Sequence, residues 1–336
     1  MKLRTLGLSA SAVVALLLAA GAAAVAFGGP TRPPPMQSIS DPFSQVDFSA
    51  VPPLRRYPAR DGAQLAYRSY EGQPGRGTVV LAHGSSANSQ SLHPLARSLV
   101  QAGFTVYALD LRGHGESGPR GDIAYIGQLD DDLQDFMRVV RPAAPRTLVG
   151  FSAGGGFALR VAGGPRQALF DNYLFMAPYT SRHAATYRPD ACGWVSVGIP
   201  RVVALALLDR AGVSAFNHLP AVDFAVSDAP RAGLTPSYSY ALVTNFAPHA
   251  DYQADIRGIR KPAAVLVGAN DEVFVADRFA QVFAEAGRSD IPVTQVPGAG
   301  HITLTLAPGA HAATVAAIDR LDAALPTAPT TPIDPP

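Results

Sequence analysis

The sequence predicts an α/β fold: a mostly parallel, doubly wound sheet with a helical cap inserted late in the chain. Three observations carry this. Short apolar runs alternate with amphipathic segments over most of the 336 residues, the pattern of repeated strand–helix–strand units. Asp61-Gly62 sits between two alternating runs near the start of the body, a strong signal for an antiparallel hairpin. Between Pro178 and Pro262 the rhythm breaks, and Pro and Gly punctuate short helical pieces such as Val202 to Leu208.

Taken in order, the first hairpin runs from Arg56 to Tyr70 around its Asp-Gly turn. Thr78 to Ala82 is a short apolar strand. Gln90 to Gln101 is helical, with Leu92, Leu95, Leu99 and Val100 on one face and Gly103 as its stop. Phe104 to Leu109 is the next strand, and Leu129 to Val140 the next helix. Thr147 to Phe151 is a strand that passes at once into a helix through Phe157 and Leu159. Tyr173 to Ala177, Ala263 to Val267 and Pro292 to Val296 complete the sheet, and His311 to Leu325 closes the fold.

Both ends differ from this body. Lys2 and Arg4 precede a run from Leu6 to Phe27 that is almost wholly apolar, and no charge falls between Thr5 and Thr31. That is the composition of a secretory signal, and the run is also long enough to span a bilayer as an anchor. Ala24-Val25-Ala26 and Ala22-Ala23-Ala24 offer cleavage sites, and no cysteine directly follows for lipid attachment. The leading positive charges favour an N-terminus inside and a body outside the cytoplasm. Residues 1–29 are therefore expected to be a signal peptide or anchor, 30–54 a Pro-rich linker, 55–325 one domain with its cap at about 178–262, and 326–336 a Pro/Thr-rich tail. Nearly half the residues are apolar and the formal net charge is +1, with no basic stripe, which argues against a nucleic-acid partner. The single cysteine, Cys192, excludes an internal disulfide.

One motif carries chemistry. Gly150-Phe151-Ser152-Ala153-Gly154 follows an apolar strand and opens a helix. A strand that turns this sharply into a helix strains the residue at its apex and leaves no room for side chains two positions away. The serine hydroxyl then stands at a helix N-terminus, where peptide N–H groups stabilise negative charge. A serine needs a base, and Gly298-Ala299-Gly300-His301 supplies one on a loop after the last strand. His83, His93, His114, His183, His218, His249 and His311 compete less well, because most lie in helices or in the cap. An acid should orient the imidazole. Asp271 directly follows the strand Ala263 to Val267; Glu272, expected to point elsewhere, and Asp277 are the fallbacks. Ser152, Asp271 and His301 are thus the expected catalytic residues. The amides of Ala153 and of Ser85, after His83-Gly84, are the expected oxyanion donors, with Ser86 as runner-up and His83 as a brace. A dinucleotide site at Gly154-Gly155-Gly156 is disfavoured, since no acidic residue follows at a second strand end.

Together, His83-Gly84, the segment Asp110-Leu111-Arg112-Gly113-His114-Gly115-Glu116-Ser117, the serine turn, Asp271 and His301 resemble the α/β-hydrolase superfamily. More narrowly, over residues 57 to about 325 the chain resembles the lysophospholipase and monoacylglycerol-lipase-like branch, which also holds proteins classed as serine aminopeptidases. The resemblance implies a serine hydrolase acting through an acyl-enzyme on a small-molecule ester or lipid, with no cofactor and no metal, and with Asp110 as scaffold. Membrane association would come through residues 6–27. An aminopeptidase or amidase is the second reading, for which Asp223, Asp228 and Asp251 could hold an amine. A non-catalytic binding module is the third, and the intact set of three groups argues against it.

Overall fold

The computed structural model describes residues 2–36, 41–188, 193–226 and 233–326. Cys192, Asp228 and most of the C-terminal tail lie outside the described residues. Eight strands form the main sheet. β1 (Leu54–Pro58) and β2 (Gln64–Tyr70) make the hairpin, with Gly62 at φ +86° where its turn requires a left-handed residue. β3 (Thr78–Ala82), β4 (Thr105–Leu109), β5 (Arg146–Phe151), β6 (Asn172–Met176), β10 (Ala263–Gly268) and β11 (Val293–Val296) follow, in the spatial order β1-β2-β4-β3-β5-β6-β10-β11. From β4 to β11 all neighbours are parallel. Every residue of β3, β6 and β10 is buried, which is why these strands read as continuous apolar runs without alternation.

The helices flank this sheet. After α1 (Lys2–Phe27) come α2 (His93–Gln101), α3 (Gln128–Val140) and α4 (Ala153–Gly163). α5 (Ile199–Arg210), α6 (Tyr240–Asn245) and α7 (Tyr252–Gly258) lie in the insertion, and α8 (Phe279–Glu285) and α9 (Pro308–Ala323) in the last third. The expected strands and helices of the body all appear within a few residues of their predicted bounds. The first turn of the predicted helix at Gln90 is a 3-10 turn, because Asn88 caps it by accepting from the Gln90 N–H and Pro94 then opens α2.

The insertion is not wholly helical, as the sequence suggests. β7 (Val195–Val197), β8 (Pro220–Phe224) and β9 (Ser237–Ser239) pair as a small antiparallel sheet. Two of these strands have only three residues, too short for alternation to show in the sequence. α7, although also between Pro178 and Pro262, packs on α4 beside the main sheet. The Pro-rich segment before β1 also packs. The Met36 N–H donates to Ala225 O, and Phe43 rests half-buried on the core. α1 packs against α5, and the Arg201 guanidinium donates to Val25 O, Ala26 O and Pro220 O. A cation at the carbonyl end of a helix meets the negative end of its dipole.

Strand order positions the site. β3 sends the chain to β4 on one side, and the chain then returns to β5 on the other, so the ends of β3 and β5 border a topological switch point. Ala82 lies opposite Gly150, and the loops that follow face each other. At the other side β10 pairs with β11, Gly268 opposite Val296, which brings the next two loops together.

Candidate active site

The apex of the β5–α4 turn is Ser152, at φ 55° and ψ −117°. Such a conformation costs about 1–3 kcal/mol for a non-glycine residue and persists only where its surroundings hold it. Here the Ser152 N–H donates to Met176 O, and Ser152 O accepts from the Tyr179 and Gly156 N–H groups. The flanking glycines are steric requirements. A Cβ on Gly150 would lie 2.2 Å from Gly154 O, and one on Gly154 would lie 2.3 Å from His83 O. Gly155 and Gly156 likewise abut Pro178 and Tyr179 O, so the glycine run serves close packing of the turn.

Ser152, His301 and Asp271 lie in one hydrogen-bonded chain. The Ser152 Oγ is 3.0 Å from His301 Nε2, and His301 Nδ1 is 2.9 Å from Asp271 Oδ2. A carboxylate only accepts, so Nδ1 carries the proton and Nε2 presents its lone pair to the serine hydroxyl. The other oxygen, Asp271 Oδ1, accepts from the Val273 and Phe274 N–H groups at 2.9 and 2.7 Å, which fixes the carboxylate plane. The His301 ring sits between Phe151 and Phe274, with centroids 4.9 and 5.2 Å away. All three residues are buried.

The fallback acids fall elsewhere. Asp277 is exposed and accepts from Gln295. Glu272 does reach the histidine, but at its backbone: Oε2 accepts the His301 N–H at 2.8 Å. The expectation that Glu272 points elsewhere is therefore corrected; it braces the loop that carries His301. Asp110 accepts from the Ser89 and Glu116 N–H groups and shapes the turn at Gly115.

Ala153 is the first residue of α4, so its N–H has no partner within the helix. On the facing loop the Ser86 N–H donates to Tyr238 Oη and its Oγ donates to Thr235 O, so the runner-up donor is engaged. Ser85 lies beside it, its Oγ accepting from Trp194 Nε1 at 3.1 Å. His83 is fully buried under this loop. Its Nδ1–H donates to Gly84 O at 2.8 Å, and its Nε2 accepts from the Leu111 N–H. His114 packs edge-on to it at 4.7 Å and accepts from the Tyr238 hydroxyl at 2.6 Å. Burial holds both imidazoles below their ordinary pKa, His114 well below, so both are neutral. Trp194 and Tyr238 are contributions the sequence does not reveal, since each comes from the insertion by a contact more than a hundred residues distant.

A cavity of about 470 Å3 opens over Ser152, within the size range of small-molecule sites, about 300–1,000 Å3. Phe151, Trp194, Leu234 and Ile302 give it apolar walls, and Ser85, Asn88 and Gln90 a polar edge. Asp223 and Asp251 do not line it; Asp251 caps α7 and pairs with Arg257.

Fold and site together define an α/β hydrolase of the lipase and esterase type. The family model described as "Serine aminopeptidase, S33" matches residues 73–305, and the chain belongs to that family. The resemblance to the monoacylglycerol-lipase-like branch is upheld. A monoacylglycerol lipase of Mycolicibacterium smegmatis is 41% identical over 87 residues, which are 24% of this chain and 30% of the relative. A non-heme chloroperoxidase of Kitasatospora aureofaciens is 34% identical over 105 residues, 31% of this chain and 36% of the relative. The chain thus spans about a third of the length of these curated relatives. Among solved structures, a soluble variant of the monoglyceride lipase of Saccharomyces cerevisiae superposes with a TM-score of 0.61 at 18% identity, covering 84% of this chain and 99% of that one. The Paleococcus ferrophilus monoacylglycerol lipase gives 0.55 at 21% identity, covering 77% and 98%. At these identities the superpositions speak for the fold alone.

Proposed function

We propose that the protein is a serine hydrolase of carboxylic esters, with a lipid ester such as a monoacylglycerol or lysophospholipid as substrate. The observation that carries this reading is the chain Ser152 Oγ–His301–Asp271, at 3.0 and 2.9 Å, at the floor of a largely apolar cavity. Ser152 attacks the ester carbonyl while His301 Nε2 takes the hydroxyl proton. Asp271 stays ionised and stabilises the imidazolium. The Ser85 and Ala153 amides hold the oxyanion. His301 then protonates the departing alcohol, and a water molecule repeats the sequence on the acyl-serine to free the acid. An amine substrate would need a carboxylate in the cavity, and none is among its described lining residues, which favours the ester over the aminopeptidase reading.

The reading extends to location. Ala10–Phe27 has a mean hydropathy of 2.3, and none of its residues is fully buried; most are exposed, with Ala24 and Val25 half-buried at the end that packs on α5, as suits a helix whose greater part meets lipid. We assign residues 6–27 to export, with the body outside the cytoplasm and either anchored or released.

The test is labelling with a fluorophosphonate, together with turnover of ester, lysophospholipid and aminoacyl-amide panels. Labelling is expected in the unaltered chain and absent in Ser152→Ala, with esters turned over faster than amides. Labelling that survives Ser152→Ala, or preference for aminoacyl amides, would refute the proposal.

A further inference from the structure

The cavity over Ser152 has a wall that the family match does not include. Phe43, Val46 and Phe48 line it, and all three precede β1 and the matched residues 73–305. The segment is built rather than draped. Asp41–Gln45 forms a 3-10 turn, in which the Ser44 hydroxyl donates to Asp41 O at 2.6 Å and the Val46 N–H donates to Phe43 O at 3.1 Å. Just beyond, Asp47 Oδ1 accepts from the Ser49 N–H at 2.8 Å. The Phe48 ring lies 6.4 Å from the buried His93 ring at the start of α2, and Phe43 packs against the core.

The chemistry of the lining indicates what the wall meets. Among the described residues, His301 is the one His, Asp, Glu, Lys or Arg side chain that lines the cavity. Two aromatic rings and a valine there offer dispersion contact and exclude water, and they offer no hydrogen bond from their side chains. A fatty acyl chain gains from such a surface, whereas a glycerol or phosphate headgroup would lose its hydration without replacement. The polar edge, Asn88 and Gln90, is the part of the cavity suited to the alcohol side of the ester.

We infer that residues 41–48 form the acyl wall of the site and set which chain lengths the enzyme accepts. The inference rests on the serine-ester reading above. It deepens that reading by placing the specificity determinant outside the shared hydrolase domain, on the segment that follows the N-terminal helix. The wall touches the tail of the substrate, away from the reacting carbonyl, so it acts on chain-length preference rather than on the chemical step.

The experiment uses the full chain in dodecylmaltoside micelles, with nitrophenyl acetate, butyrate, octanoate and dodecanoate. In Phe43→Ala the octanoate-to-acetate ratio of kcat/KM is expected to fall about fivefold, carried by KM, since part of one ring's apolar contact is lost. Val46→Trp, which fills the cavity instead of enlarging it, is expected to lose dodecanoate first and octanoate next. A ratio that stays fixed in both variants while all four esters slow together would show a merely structural role and overturn the wall. Fluorophosphonate labelling separates the two levels. If the unaltered chain is not labelled, the serine-ester reading fails and the wall fails with it. If it is labelled and the chain-length profile does not move, the wall alone is wrong.

Discussion

Two buried histidine sites flank Ser152, and they differ in what their rings touch. His301 hands its Nδ1 proton to a carboxylate, Asp271, and points Nε2 at a hydroxyl. His83 and His114 hand theirs to backbone carbonyls of Gly84, Leu111 and Arg112, and their second nitrogens accept from the Leu111 N–H and the Tyr238 hydroxyl. Burial is nearly equal, so burial does not decide the role. A carboxylate bonded to the ring stabilises the imidazolium that a base must become, whereas a fully buried ring that donates only to a backbone carbonyl stays neutral, even with the Asp110 carboxylate acting on His83 from nearby. The first arrangement suits proton transfer. The second is a rigid hydrogen-bonding strut that carries the loop of Ser85.

The sharpest way to break this contrast is to alter the first site. His301→Ala is expected to lower kcat by about 10⁴-fold or more, and Asp271→Asn by about 10³–10⁴-fold, because the amide imposes the wrong tautomer on the ring. Glu272→Gln, which retains an acceptor for the His301 N–H, is expected to cost less than about tenfold in kcat/KM. Steady-state kinetics on one soluble ester rank the three, and a ranking with Glu272→Gln as severe as Asp271→Asn would reassign the acid.

At the second site the effect is smaller and of another kind. Tyr238→Phe leaves the Ser86 N–H and His114 Nε2 without their partner, at about 1–3 kcal/mol for each buried group. We expect a lower melting temperature and a kcat down about tenfold, with fluorophosphonate labelling slowed but retained. Loss of labelling would mean that the strut takes part in activating Ser152.

The smallest effect is a pH dependence of stability. His83 and His114 have depressed pKa values in the fold, while the unfolded chain takes up protons near pH 6.5. The unfolded state therefore binds more protons below that pH, so the stability these sites contribute is full above about 6.5 and is lost as pH falls through it. His93 and His311, also lowered by burial, act in the same direction. The melting temperature should fall from pH 7 to pH 5, and His114→Gln should flatten the slope, to which one group contributes at most about 1.4 kcal/mol per pH unit. A melting temperature that rises on acidification would contradict the neutral strut.

The sequence made the body legible because its central strands are buried on both faces and most of its helices on one. Thr78 to Ala82 and Gly150 to Gly154 are short-range patterns whose meaning lies in their immediate neighbours. The alignment of Ser152 with His301 could be expected because each sits at the end of a recognisable strand. Tyr238, Trp194 and Phe43 had no such signal. Each reaches the site from a stretch whose local pattern is a loop, a three-residue strand or a run of prolines, and only the folded chain shows what it approaches. Glu272 differs again: its place beside Asp271 is legible in the sequence but its direction is not, because the turn after β10 directs neighbouring carboxylates to the side chain and to the backbone of the same histidine.

Arg201 would give cleavage at the two candidate sites near the end of α1 unequal consequences. A cut after Ala26 carries away the Val25 and Ala26 carbonyls that the guanidinium holds at 2.8 and 2.9 Å. It also leaves a free ammonium on Phe27 next to that guanidinium, so a cation faces a cation where one had met the negative end of a helix. A cut after Ala24 spares both acceptors and severs instead the carbonyl that receives the Gly28 N–H. If α1 is processed, the position of the scissile bond, two residues one way or the other, decides whether Arg201 keeps both carbonyl partners or meets a new ammonium in their place.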